Sequence, residues 1–385
     1  MEIHGHCDDR FSGVLKAFEE NFANSDEVGA CFAATLEGEY VVDIWAGHQD
    51  ARKTRPWEED TIIKVASTTK TMTFLSALML EDRGQLDLDA PVADYWPEFA
   101  AQGKEGVLVR HCMAHSAGLP GFSRPFTIAE MCDWDTACAD LAAQVTWWEP
   151  GTQSAYHMAT QGWLIGEVVR RITGKSFGTY FKEEVAVKVG ADFHIGTDPK
   201  HFHRIADVLE DQHPASLDEV NEFMDLDPDS VMGKVMAQFP EGVTEKDMAS
   251  AEFRQAEIPA GNGHGNARSV VRAQTAMANG GKAFGAELLS PRGCKRALEP
   301  QIDGIDQLMG LPISYCMGYA LLSGGTFTQF GQEESTIWWG GAGGSSVIID
   351  TASHVCFSYV MNQMSNNLLG DKRSDNLGLA LYEGL

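Results

Sequence analysis

Cations are scarce in this sequence: 29 Lys and Arg stand against 55 Asp and Glu, a formal net charge of −26 over 385 residues. A surface of that sign repels phosphate backbones and anionic membranes, which sets aside nucleic acid and the membrane surface as partners. Acidity of this kind also serves solubility or a salty medium, so it does not name a reaction. The cysteines (Cys7, Cys31, Cys112, Cys132, Cys138, Cys294, Cys316 and Cys356) show no Cys-x-x-Cys spacing and read as mostly buried thiols. No run is long and apolar enough to span a bilayer. The opening residues Met1-Glu2-Ile3-His4-Gly5-His6-Cys7 have neither the basic start nor the apolar core of an export signal, so the expected compartment is the cytoplasm. Internal repeats and low-complexity tracts are missing too. The length excludes a disulfide-stapled miniprotein and fits one large unit or two lobes.

What is present is ordered by periodicity. Phe11, Val14, Leu15, Phe18 and Phe22 recur at helical spacing behind Asp8 and Asp9, two candidate caps. Residues 28–36 and 39–46, joined at Glu37-Gly38, read as a β-hairpin, and 335–339, 345–350 and 354–361 as a meander of strands, with a closing helix over 373–382. Between these ends the pattern turns helical: 68–83, 160–173 and 266–279, each followed by glycine (Gly84, Gly174, Gly280) where a C-terminal cap belongs. Strands at both ends and helices in the middle predict one sheet assembled from both termini with a helical lobe inserted. The boundaries are 1–66 and 267–385 for the α/β lobe and 67–266 for the helical lobe. The acidic stretch 207–229 reads as a solvated excursion forming part of a wall over the site.

Ser67-Thr68-Thr69-Lys70 follows a β-like run, 61–66, and opens the helix continuing through Met72, Leu75, Leu78 and Met79. Positions three apart share a helical face, so the Lys70 amine reaches the Ser67 hydroxyl. Free backbone N–H groups at a helix start favour the oxyanion formed when a serine attacks a carbonyl. Lys70 accepts the proton only when neutral, a state that burial promotes. About one such tetrad arises by chance in a chain this long. Its place at a strand-to-helix junction, and its being the sole Ser-x-x-Lys, favour chemistry over a capping serine beside a solvated lysine.

Ser116 competes as nucleophile in Ala114-His115-Ser116-Ala117-Gly118, but Ala114 stands where the Gly-x-Ser-x-Gly elbow needs glycine, and Leu119-Pro120-Gly121 continues as loop. It is read as structural. Tyr156, just ahead of the helix at 160–173, offers a phenol able to shuttle a proton, although such a tyrosine is more often a packing residue. In Trp338-Trp339-Gly340-Gly341-Ala342-Gly343-Gly344-Ser345, glycines after a strand let a ligand approach the backbone, the plain reading being a tight bend. His194, His201 and His203 lack the spacing of a metal site and read as surface residues, so no metal is expected. The glycine run 261–265 lacks a P-loop lysine and precedes a helix capped at Asn266. No cofactor is inferred.

Taken in this order, these elements resemble the serine β-lactamase and penicillin-binding-protein superfamily, and within it the class C-like esterase branch, the family VIII carboxylesterases. The likeness runs from the first helix through His115-Ser116-Ala117-Gly118-Leu119-Pro120, Gly162-Trp163-Leu164-Ile165-Gly166-Glu167 and Gly263-His264-Gly265-Asn266 to Gly340-Gly341. It implies a β-lactamase-like fold, an antiparallel sheet flanked by helices with an inserted helical lobe and the active site in the cleft between lobes. It also implies catalysis by Ser67, Lys70 and Tyr156. The oxyanion would be held by the backbone N–H groups of Ser67 and Ala342, and substrate by Trp339, Gly340, Gly341 and His157. Two departures stand out: Trp339-Gly340-Gly341 replaces the family's Lys-Thr-Gly, and Met158 stands where Asn is expected two residues after the tyrosine. An aromatic wall in place of a cation favours neutral esters over carboxylated amides. The expected activity is therefore that of a serine carboxylesterase on small to medium neutral esters, lactones included. Acyl transfer, amide hydrolysis of the β-lactamase or D-aminopeptidase kind, and a ligand-binding relative without turnover are the alternatives.

Overall fold

The computed structural model describes residues 1–212, 227–238, 244–322, 331–365 and 370–385. Most of the acidic stretch 207–229 lies outside them. In chain order the strands are β1 (Ile3–Cys7), β2 (Gly29–Leu36), β3 (Glu39–Gly47), β4 (Ile63–Lys64), β5 (His264–Gly265), β6 (Lys282–Ala283), β7 (Ala286–Glu287), β8 (Ile302–Ile305), β9 (Pro312–Tyr315), β10 (Ala320–Leu321), β11 (Thr336–Gly340), β12 (Ser346–Asp350) and β13 (Val355–Met361). Nine of them form one antiparallel sheet in the order β1-β3-β2-β13-β12-β11-β10-β9-β8, while β4–β5 and β6–β7 are separate two-stranded ladders.

The predicted hairpin is β2–β3. Glu37 and Gly38 both take positive φ, 52° and 88°, the backbone of a two-residue turn whose twist matches its strands. The predicted meander is β11–β12–β13, and β13 pairs with β2 from Val355↔Leu36 to Met361↔Ala30, so the two ends of the chain meet in the centre of the sheet. Alternation explains why β2 is buried on both faces. Cys31 and Ala33 point to one core, which includes Val270 and Val271 of the helix Ala267–Ala278. Phe32 and Ala34 point to the other, which includes Val14 and Phe18 of the helix Ser12–Asn24 and Leu377 and Leu381 of the helix Lys372–Tyr382. The sheet is thus the middle layer of three.

Several sequence expectations change. The first helix begins at Ser12 after a 3-10 turn, and Asp8 makes no side-chain cap. The run 61–66 yields only the two-residue strand β4, which pairs Lys64 with His264. The helix expected from residue 68 starts at Lys70, preceded by a 3-10 turn, Ala66–Thr69. From Lys70 to Leu80 every residue of that helix is buried. A helix covered all round belongs to a core, which makes a lysine at its first position an anomaly requiring a reason.

Candidate active site

Ser67 sits in the 3-10 turn, directly after Ala66, whose φ of 46° is a strained value for a residue with a Cβ. The turn is fixed from two sides. Val65 N–H donates to Gly263 O (2.9 Å) and Gly263 N–H to Thr69 Oγ1 (2.9 Å). From the sheet, the Ser345 hydroxyl donates to Val65 O (2.8 Å) and lies 2.9 Å from Thr68 Oγ1. The bend after β11 presses close: a Cβ on Gly341 would fall 2.3 Å from Val65 O and 3.1 Å from Ser67 N, so only glycine fits there. Ser67 and Ala342 line one cavity.

Lys70 is fully buried. Its Nζ lies 2.6 Å from Met158 O, 2.8 Å from Ala260 O and 3.4 Å from Ser67 Oγ. Burial alone holds its pKa well below the ordinary lysine range. The three oxygens match the three N–H donors of an ammonium; on losing a proton the amine can keep both carbonyls and turn its lone pair toward the serine. The two carbonyls are what a lysine at that buried position binds.

Tyr156 is buried with its ring centroid 4.7 Å from Lys70 Nζ. Its hydroxyl makes no full hydrogen bond, although the Ser67 hydroxyl and the Trp339 indole N–H lie beside it and draw its pKa down. Burial outweighs both, so the phenol is held above the ordinary tyrosine range and stays protonated. The Tyr156 N–H donates to Asp306 Oδ1 (3.1 Å), and neighbouring Ala155 N–H and His157 N–H are anchored on His115, at its carbonyl (3.1 Å) and Nδ1 (3.0 Å). Asp306 was invisible to motif reading, since nothing local marks it.

Two candidate substrate contacts move. His157 is fully buried, with Nδ1 2.6 Å from Ala155 O and Nε2 accepting from Leu119 N–H (3.2 Å), which leaves no ring nitrogen for a substrate. Trp339 is also fully buried, its ring 5.3 Å from Tyr156 and stacked on His115 at 5.6 Å. It backs Tyr156 rather than walling the cavity. Ser116 has its hydroxyl 3.5 Å from His111 O, in a buried turn where, among the described residues, no lysine or imidazole base is bonded to it. Among the histidines, His194 and His201 lie ring against ring at 4.3 Å, and the Arg204 guanidinium, paired with Asp192, reaches a ring nitrogen of each, at 3.4 and 2.8 Å.

The cavity at Ser67 measures about 190 Å³. Its walls are mainly apolar, with Met131, Met158, Met248, Met361, Met364 and Phe253 among them, and Lys64 and Glu245 at one edge. Among the described residues no helix is long and apolar enough to cross a membrane.

Comparison with known proteins accords with this geometry. The chain is 33% identical to the esterase/beta-lactamase LipL of Mycobacterium tuberculosis over 98% of its own length and 87% of that protein's. It is 26% identical to the esterase EstB of Burkholderia gladioli, over 87% of its length and 86% of the relative's. Among solved structures, that of a family VIII carboxylesterase superposes with a TM-score of 0.91 at 37% identity, covering all of both chains. The Beta-lactamase family pattern matches residues 15–382, and the chain belongs to that family of serine hydrolases.

Proposed function

We propose that the protein is a serine carboxylesterase acting on small to medium neutral esters, lactones among them, through an acyl-enzyme on Ser67. The observation that carries this reading is the Lys70 amine, buried, bound to two carbonyls and 3.4 Å from the Ser67 hydroxyl. In the first step Ser67 Oγ bonds to the ester carbonyl carbon while its proton passes to Lys70. The oxyanion is received by the backbone N–H groups of Ser67 and Ala342. The carbon–alkoxide bond then breaks, and the leaving oxygen takes the Tyr156 proton, which Lys70 restores. Water enters by the reverse relay, giving its proton to the same pair as it attacks the acyl-enzyme, and the acid leaves as Ser67 regains its own. The opposite directions in which burial moves the two groups, Lys70 down and Tyr156 up, support Lys70 as base and Tyr156 as acid.

An apolar cavity supports neutral substrates. The ammonium at its edge, Lys64, is already paired with Glu245 at 2.7 Å. The test is labelling with a fluorophosphonate followed by peptide mass spectrometry, alongside p-nitrophenyl butyrate hydrolysis. The adduct is expected on the peptide containing Ser67, and Ser67→Ala is expected to abolish both signals while Ser116→Ala keeps them. An adduct on Ser116 overturns the assignment.

A further inference from the structure

Beyond the cavity at Ser67 lies a second one, of about 870 Å³, bordered by charged side chains including Asp207, Glu210 and Arg254. Four residues line both: Lys64, Val208, Glu245 and Met248. They lie where the two cavities adjoin. Among them Lys64 Nζ donates to Glu245 Oε2 (2.7 Å) and approaches Met248 Sδ (3.6 Å), the two charged side chains being only 10% and 21% exposed. Each half is held by its own backbone. Lys64 is fixed in the β4–β5 ladder. Glu245 opens a short helix, Glu245–Met248, capped by the Thr244 side chain.

We propose that the Lys64–Glu245 ion pair is the end wall of the acyl pocket and sets the longest acyl chain the enzyme accepts. This rests on the acyl-enzyme reading above. An engineered cavity of about 150 Å³ holds benzene, so a chamber of this size accommodates a chain of about six to eight carbons. Unbranched methionine side chains let such a chain lie in several conformations. A longer chain must push its methyl end against a partly buried ion pair, and separating that pair exposes each charge to an apolar neighbour without compensation. Preference therefore breaks at the wall instead of rising with each added methylene. Removing the wall joins the two chambers.

The test is the ratio of kcat/KM for p-nitrophenyl laurate to that for p-nitrophenyl butyrate, measured within each variant so that changes in the chemical step cancel. In the unaltered enzyme kcat/KM is expected to fall at least tenfold between the octanoate and the laurate. The double variant Lys64→Ala/Glu245→Ala should raise the laurate-to-butyrate ratio at least tenfold, and the exchanged pair Lys64→Glu/Glu245→Lys should bring it back toward the original value. An unchanged ratio in the double variant, or an unaltered enzyme that takes laurate as readily as octanoate, overturns the proposal. Should the double variant be inactive on every ester, Met248→Ala, which opens the same wall while keeping both charged side chains, decides by the same ratio. If instead the unaltered enzyme hydrolyses no ester and Ser67 takes no fluorophosphonate, it is the esterase reading that fails.

Discussion

Asp306 holds Tyr156 by its backbone: Oδ1 accepts the Tyr156 N–H at 3.1 Å together with the N–H groups of Leu308 and Met309, both at 2.9 Å, while Oδ2 accepts the Tyr315 hydroxyl at 2.9 Å. The carboxylate is fully buried, and burial raises its pKa against the pull of these donors. It is a positioning residue, 150 positions away from the tyrosine it fixes.

Asp306→Ala leaves four donors without an acceptor, and its unfolding free energy is expected to fall by about 3 kcal/mol or more. Asp306→Asn keeps one carbonyl oxygen and should retain most of the stability. Both should lower kcat for p-nitrophenyl butyrate with little change in KM, Asn less than Ala, because the acid is displaced while the cavity is kept. A rise in KM at constant kcat would show that Asp306 shapes the cavity instead.

For the relay itself, Lys70→Ala and Tyr156→Phe are each expected to lower kcat at least about a hundredfold, the low end for losing a general base or acid. The pH profile of kcat/KM should climb as Lys70 sheds its proton, with an apparent pKa well below the usual lysine range. Survival of that limb in the Lys70→Ala residual activity would place the base elsewhere.

Glu27 gives stability a pH dependence of definite sign. It is buried, accepts the Tyr359 hydroxyl and faces Arg373 at 3.3 Å and, beyond it, Asp371. Burial, only partly offset by Arg373, pushes its pKa up to about 7. The folded state therefore binds more protons than the unfolded chain from about pH 4.5 to 7, and stability falls as pH rises through that window. Relative to Glu27→Gln, the unaltered protein should lose on the order of 1–3 kcal/mol between pH 5 and pH 8. Urea unfolding of both proteins across that range measures it. A pH-independent difference would mean that Glu27 stays charged throughout.

Substrate charge offers a fourth prediction. No cation of the described residues stands free at the cavity, since Lys64 is paired and Lys70 is spent on carbonyls. A missing charge-assisted hydrogen bond costs about 1.5–3 kcal/mol, or about one to two decades in specificity. The kcat/KM for p-nitrophenyl butyrate should exceed that for benzylpenicillin by at least that margin. A higher value for the penicillin refutes the preference for neutral esters. Trp339→Lys should not reverse it, because that position lies buried behind Tyr156 and a cation there is desolvated.

What could be read in advance was what the chain encodes locally. Ser67 and Lys70 share one turn, the hairpin at Glu37-Gly38 carries its turn signal, and the last three strands of the sheet announce themselves by β-branched and aromatic residues. Strands β8, β9 and β10 escaped because they are two to four residues long, too short for their alternation to stand out from the surrounding sequence. β1 escaped because His4, Gly5 and His6 are exposed and show no apolar face. His157 was misplaced for another reason: standing beside Tyr156 in sequence says nothing of where its ring points, and the two ring nitrogens were claimed by backbone groups. Asp306 and the Lys64–Glu245 pair join residues 150 and 181 positions apart, a distance over which no spacing rule operates.

The pairing of β2 with β13 makes the centre of the sheet a contact between segments 319 to 331 positions apart. Neither the N-terminal hairpin nor the strand Val355–Met361 has both its neighbours until the other is in place, so the middle layer closes as one non-local, cooperative event. The bend that brings Gly341 against Val65 and Ser67 belongs to the same C-terminal meander. The surroundings of Ser67 are therefore fixed by closure of the whole sheet and not by the local turn alone.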